Sequence, residues 1–195
     1  MMVKICGITN REDATVAIEA GAAAIGMIFF SKSPRYITPE QAWEIASAIP
    51  RSVLKVGVFV NETPRAIDRI AATVGLDVAQ LHGQESPSRL PKTLRVWKAF
   101  HVNAEWTPAA MDGFSAEAFL LDSPVHGTQF DWNLVRSVRG RIVLAGGLDA
   151  SNVRQAIQMV RPWGVDSCSR LEIRPGIKDH KKVRQFVEAA LMESA

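Results

Sequence analysis

Cysteine is scarce in this chain of 195 residues: Cys6 and Cys168 are the two it has. Neither sits in a CxxC spacing and the four histidines are scattered, which excludes the ligand pattern of a structural zinc site and the framework of a disulfide-stapled fold. Each cysteine therefore needs its own explanation. No apolar run approaches the roughly 20 residues that cross a bilayer. The N-terminus enters Val3-Lys4-Ile5 without a basic leader, an apolar stretch and a cleavage site, so the expected location is the cytoplasm, away from membranes. A clustered basic stripe is lacking as well. The 23 basic and 20 acidic residues leave a net charge of +3 spread along the chain, which argues against a nucleic-acid partner and suits an anionic small molecule.

What is present is an ordinary globular composition, 47% hydrophobic and 22% charged, in a length that supports one well-buried core. Residues 1–195 are therefore expected to form a single domain. Short apolar, β-branched runs at 3–8, 23–30, 54–60, 78–81, 96–100, 118–121, 142–145 and 165–168 read as eight strands. Between them, 11–20, 39–48, 64–74, 133–138 and 151–160 carry helical spacing, and 181–192 adds a last helix. Pro39 and Pro64 follow threonines, as first-turn prolines follow an N-cap, and Ser151 is a further expected cap. Strand then helix, about eight times over, predicts an α/β fold, a (β/α)₈ barrel. Typical barrels run to about 250 residues, so some helices here must be short or degraded, the weakest between 101 and 117. An open doubly wound sheet is the alternative. It would normally carry fewer strands and a glycine-rich loop after the first.

Active sites of such barrels form at the C-terminal ends of the strands, so polar residues closing an apolar run carry the argument. Alternation along Val3-Lys4-Ile5-Cys6 puts Lys4 and Cys6 on the inner face. A free cysteine taken alone is more often a small buried hydrophobe, but Gly7 follows and leaves room for a ligand. Asp122 closes Phe119-Leu120-Leu121 on the face of Leu120, across the barrel from Cys6; the alternative is a loop or cap aspartate. After the seventh and eighth strands, Gly146-Gly147 and Ser169-Arg170 occupy the positions where these barrels often hold a phosphate. Arg35, after the second strand, offers a two-pronged guanidinium to a carboxylate, or else is a solvated loop residue. Asp166 lies inside the eighth strand and needs a cation or sugar hydroxyls if buried, Lys4 being one partner.

In order along the chain, Lys4-Ile5-Cys6-Gly7-Ile8-Thr9, Ser33-Pro34-Arg35, Gln80-Leu81-His82-Gly83, Leu121-Asp122-Ser123, Phe130-Asp131-Trp132, Ala145-Gly146-Gly147-Leu148, Gly164-Val165-Asp166 and 174–179 resemble phosphoribosylanthranilate isomerase. The resemblance implies an Amadori rearrangement in tryptophan biosynthesis that needs no metal, nicotinamide or flavin. It further implies Cys6 as general base, Asp122 as general acid, and Arg35 on the anthranilate carboxylate. Gly146, Gly147, Ser169 and Arg170 would hold the phosphate, with Asp166 near the substrate. The acid role predicts that burial raises the Asp122 pKa. The expected partner is the phosphorylated small molecule alone, bound to a monomer. Two stretches depart from the family pattern. Residues 124–129 replace a Gly-Gly-Thr-Gly loop, and Cys168-Ser169-Arg170 replaces Ser-Ser-Gly, which strains Arg170 if that glycine has positive φ. Other readings share part of the pattern: a histidine-pathway isomerase, a binding barrel without catalysis, and a thiol redox protein if Cys6 and Cys168 come close enough for a disulfide.

Overall fold

The computed structural model describes residues 1–192. Eight parallel strands close into a barrel in sequence order: β1 Met2–Ile5, β2 Ala24–Ile28, β3 Leu54–Phe59, β4 Val78–Leu81, β5 Arg95–His101, β6 Ala118–Asp122, β7 Ile142–Leu144 and β8 Gly164–Ser167. All eight apolar runs read from the sequence are strands. The first ends early, because Gly7 turns into the left-handed region at φ 71°. Five α-helices lie outside: α1 Arg11–Glu19, α2 Pro39–Ala46, α3 Pro64–Val74, α4 Val153–Val160 and α5 His180–Met192. Thr38 and Thr63 cap α2 and α3 by accepting from Gln41 N and Ala66 N, as expected. Ser151 is not the cap of α4. That position falls to Asn152, whose side chain instead donates to Gly147 O, tying the helix start to the loop after β7.

Two layers of apolar side chains follow from strand alternation. Val3, Ile5, Ile25, Met27, Leu121 and Val165 pack outward against the helices. Met2, Ala24, Val56, Trp97, Leu120 and Val143 fill the interior. The barrel is therefore plugged below, and only the inward residues near the strand ends reach the mouth.

Among the described residues, helices fail where the sequence was weakest and in two places more. The 101–117 stretch forms only a 3-10 turn at Pro108–Met111, and 133–138 contracts to one at Trp132–Leu134. Between β4 and β5 another short turn, Pro87–Arg89, replaces a helix among the described residues. Lys98 explains how this side stays covered. It points out of the barrel and is buried, its ammonium donating to Gly83 O at 2.7 Å and Glu85 Oε2 at 2.9 Å. Phe100 and Phe114 shield it at 5.3 and 5.9 Å. A small antiparallel pair, β9 Glu172–Arg174 and β10 Ile177–Lys178, follows β8 and leads into α5.

Candidate active site

The parallel register of β1 and β8 sets Lys4 opposite Asp166 and Ile5 opposite Ser167. Lys4 Nζ donates to Asp166 Oδ1 at 2.9 Å in the interior, so the pairing expected from sequence is present. Burial pulls the Lys4 amine down, but the Asp166 and Cys6 charges outweigh it and hold Lys4 above its ordinary value. Burial pushes the Asp166 carboxyl up to about 7, with Lys4 opposing the rise. One step above this pair, Cys6 points inward, buried, and both cysteines are free thiols. Gly26 on β2 makes its space: a Cβ there would stand 2.8 Å from Cys6 Sγ and 3.1 Å from Lys4 Cε. A hydrogen bond with the Cys168 thiol, opposed by burial and helped by Lys4 and Lys178, holds the Cys6 thiol well below its ordinary value.

Gly7 does not leave the room for ligand that its sequence position suggests. A Cβ at Gly7 would meet Arg35 Cδ at 2.7 Å and Cys168 Sγ at 2.8 Å, so two protein side chains fill that space. Arg35 itself is buried and grips a carboxylate with its fork, that of Glu172, through Nε at 2.8 Å and a second nitrogen at 2.7 Å. Two of its five N–H donors are committed there. Glu172 also accepts from the buried Lys178 ammonium at 3.0 Å.

Across the mouth, β5 and β6 set His101 opposite Asp122, and His82 follows β4 directly. His82 Nε2 is 3.3 Å from Asp122 Oδ2, and the rings of His82 and His101 lie 5.3 Å apart. Gln80 Nε2 stands 3.3 Å from His82 Nδ1, so the ring is held between Gln80 and Asp122. Here the structure corrects the sequence expectation for Asp122. Burial does push its carboxyl upward, but the hydrogen bond and charge of His82, the Ser123 N–H at 2.8 Å and His101 outweigh burial and hold it below its ordinary value. Ligand atoms of His82, His101 and Asp122 lie within 4.8 Å of one another, a donor set that suits a divalent transition metal. Proton donation by Asp122 requires that carboxylate to be free of a cation.

The loops after β7 and β8 stand side by side at the rim. Gly146 and Gly147 both have positive φ, 86° and 62°. Their lack of side chains admits protein backbone: a Cβ on Gly146 would meet Ser123 N at 2.8 Å, and one on Gly147 would meet the Thr128 carbonyl carbon at 2.5 Å. The shortened 124–129 loop thus rests on the glycine pair, held by Ser123 Oγ to Thr128 Oγ1 at 3.0 Å. Ser169 and Arg170 start a 3-10 turn, Ser169–Leu171. Arg170 is not among the described residues with positive φ, so it carries no backbone strain. Its guanidinium pairs with Asp149 at 2.8 Å beside a cavity of about 510 Å³ lined by Ser151, Ser169, Arg170 and Lys182.

The structure therefore brings Cys6, Asp122 and Asp166 into the barrel mouth and sets Gly146, Gly147, Ser169 and Arg170 on its rim, with Arg35 against the β1 end. Sequence reasoning gave no role to His82, His101, Glu172 and Lys178, and brought Cys168 toward Cys6 only as a disulfide partner in the thiol redox reading. His82 had a usable signal, since it closes the apolar run of β4 just as Asp122 closes that of β6.

Comparison with known proteins places this arrangement. A family model described as N-(5'phosphoribosyl)anthranilate (PRA) isomerase matches residues 3–189. A protein of Solibacter usitatus (strain Ellin6076), named N-(5'-phosphoribosyl)anthranilate isomerase, is 50% identical over 197 residues, covering 97% of each chain. Among solved structures, phosphoribosyl anthranilate isomerase in complex with reduced 1-(o-carboxyphenylamino)-1-deoxyribulose 5-phosphate superposes with a TM-score of 0.87 at 41% identity, covering 98% of this chain and 99% of that one. The Thermotoga maritima enzyme, described as monomers generated from a dimeric phosphoribosylanthranilate isomerase, superposes at 0.90 with 42% identity over the same shares.

Proposed function

The chain belongs to the N-(5'-phosphoribosyl)anthranilate isomerase family, and from that premise we propose how its own side chains carry the reaction. The protein is an isomerase of tryptophan biosynthesis that converts N-(5-phospho-β-D-ribosyl)anthranilate to 1-(2-carboxyphenylamino)-1-deoxy-D-ribulose 5-phosphate. Asp122 donates a proton to the furanose ring oxygen as the C1′–O bond breaks, and the anthranilate nitrogen lone pair completes the Schiff base. Cys6, as thiolate, takes the proton from C2′. The resulting enolamine tautomerises to the ketone.

The observation that carries this reading is the placement of Cys6, directly after β1, and Asp122, at the end of β6, across the mouth from each other. The thiol is tuned for a base. An ordinary cysteine has a pKa of roughly 8.5, and Cys6 lies well below its ordinary value. Asp122 starts ionised and 3.3 Å from His82, so the acid acquires its proton when substrate displaces water from the mouth and lowers the local dielectric. Arg35 takes the anthranilate carboxylate with the donors it has left, and Gly146, Gly147, Ser169 and Arg170 hold the phosphate at the rim. Asp166, neutralised by Lys4, braces the base from below.

Loss of anthranilate-ligand fluorescence on mixing tests the assignment. Turnover by the intact protein and rescue of a tryptophan-requiring host lacking this isomerase are expected; binding without turnover would reduce the chain to a ligand-binding barrel. We also assign residues 1–195 to one domain, a monomer in the cytoplasm. The large exposed apolar side chains support the monomer, being divided among the loop after β2 (Tyr36), α2 (Trp43), the 124–129 loop (Val125), β9 (Ile173), and α4 and α5 (Met159, Leu191 and Met192). A light-scattering mass of 21.4 kDa is expected, and twice that mass overturns it.

A further inference from the structure

Resting on Cys6 as the base, we propose that Cys168 is its positioning residue: the Cys168 S–H donates to the Cys6 sulfur, and Lys178 fixes Cys168 from behind. The register carries the first part of the argument. Lys4 faces Asp166, and the Cys6 N–H donates to Ser167 O at 2.9 Å. The next inward pair above Lys4 and Asp166 is therefore Cys6 and Cys168. Gly7 permits the contact, because any side chain there would run into Cys168 Sγ.

Lys178 carries the second part. Its side chain is fully buried, and its ammonium donates to Cys168 O at 3.1 Å and stands 3.9 Å from Cys168 Sγ. Glu172 holds that ammonium and is itself clamped by Arg35. Five charged groups thus face the sulfur pair: Lys4 on β1, Asp166 on β8, Lys178 on β10, Glu172 on β9 and Arg35 after β2. Cys6 Sγ and Lys4 Cε both lie against Gly26, 2.8 and 3.1 Å from where its Cβ would stand, so the Lys4 charge favours Cys6 as the sulfur that ionises. The shifts run the same way, with Cys6 held down and Cys168 pushed well above its ordinary value, first by its hydrogen bond to Cys6 and then by burial.

A hydrogen bond to an ionised acceptor is stronger than one between neutral groups, so even a weak S–H donor favours the thiolate. Cys168 keeps its proton through the cycle: Cys6 receives the C2′ proton and Cys168 merely loses a charged acceptor. This role belongs to the departure from the family's Ser-Ser-Gly pattern after β8. A serine hydroxyl is the natural equivalent of the thiol.

The test is alkylation of the unliganded enzyme with iodoacetamide between pH 5 and 10, mapped by mass spectrometry, alongside the pH profile of kcat/KM. Cys6 is expected to label first. Cys168→Ala should move the Cys6 labelling midpoint and the limb of kcat/KM that Cys6 governs upward together by about one pH unit, a loss of about tenfold below both midpoints. Cys168→Ser should restore both. Cys168→Val, closer in volume, replaces the alanine variant if that fails to fold. An unmoved midpoint, or preferential labelling of Cys168, overturns the pairing while leaving the base assignment standing. Near-normal turnover by Cys6→Ser overturns the base assignment, which the labelling midpoint does not measure.

Discussion

The two sides of the barrel mouth are built on opposite electrostatic plans. On the β1 and β8 side, Lys4 and Lys178 have wholly buried side chains and are fixed by carboxylates, so positive charge stands ready beside the Cys6 sulfur before any substrate arrives. On the β4 to β6 side, the His82 and Asp122 side chains keep 21% and 27% of their exposure, and the carboxylate rests ionised. Under the proposed roles, a base is thus prepared in the dry half, whereas an acid must be charged in the wet half. The difference follows from what each group must hold. A thiolate in an apolar interior needs fixed cations, while a carboxylic acid needs its ionised form made costly at the moment substrate closes over it.

Removing either proposed proton carrier breaks the comparison outright. Cys6→Ser should lower kcat by about 10²- to 10⁴-fold with an unchanged thermal melt, and Asp122→Asn should fall in the same range. Next come the charges beneath the base. Asp166→Asn leaves the Lys4 ammonium buried without its partner and should cost about 3–5 kcal/mol in denaturant unfolding. Lys4→Met should cost less, because Asp166 can take up a proton. The same carboxyl gives the native protein a pH signature. Its folded pKa, about 7, lies above the unfolded value of about 3.9, so the folded state binds more protons between them. This contribution is full below about 4 and is lost as pH rises through about 7. Unfolding free energies measured across that window, in native protein and in Asp166→Asn, isolate it.

Subtler changes sharpen the contrast. Gly26→Ala places a methyl against Cys6 Sγ and should cost about 100-fold in kcat through misplacement of the base, with substrate binding retained. On the wet side, His82→Leu removes the partner that holds Asp122 ionised. Burial then dominates, the carboxyl rises, and the acid limb of kcat/KM, which reports Asp122 because that carboxylate rests ionised in the free enzyme, should move up by about one pH unit. An acid limb that stays in place would show that Asp122 does not supply the proton.

The strands and the inward facing of Cys6, Asp122 and Asp166 were legible because alternation and strand ends are local properties. The Lys4–Asp166 pair was legible too, since a closed barrel makes β1 and β8 neighbours. The direction of the Asp122 shift was not, because His82 comes from β4, forty residues away, and apolar neighbours in sequence say nothing of it. The Arg35, Glu172 and Lys178 chain was hidden for the same reason: its members meet only after β9 and β10 fold back beside the loop after β2. The short helix over 133–138 failed differently. Its apolar spacing exists, but Trp132 and Val135 are buried by a single 3-10 turn, which satisfies the packing without a further turn of helix.

The most direct test of the two-sided account compares binding with turnover in Cys6→Ser and Asp122→Asn. Reduced 1-(o-carboxyphenylamino)-1-deoxyribulose 5-phosphate, the compound bound in the related structure, should bind both variants as it binds the unsubstituted enzyme, while turnover falls to about one hundredth or less. Turnover by either variant at the unsubstituted rate would contradict the assignment of base and acid to the two sides of the mouth.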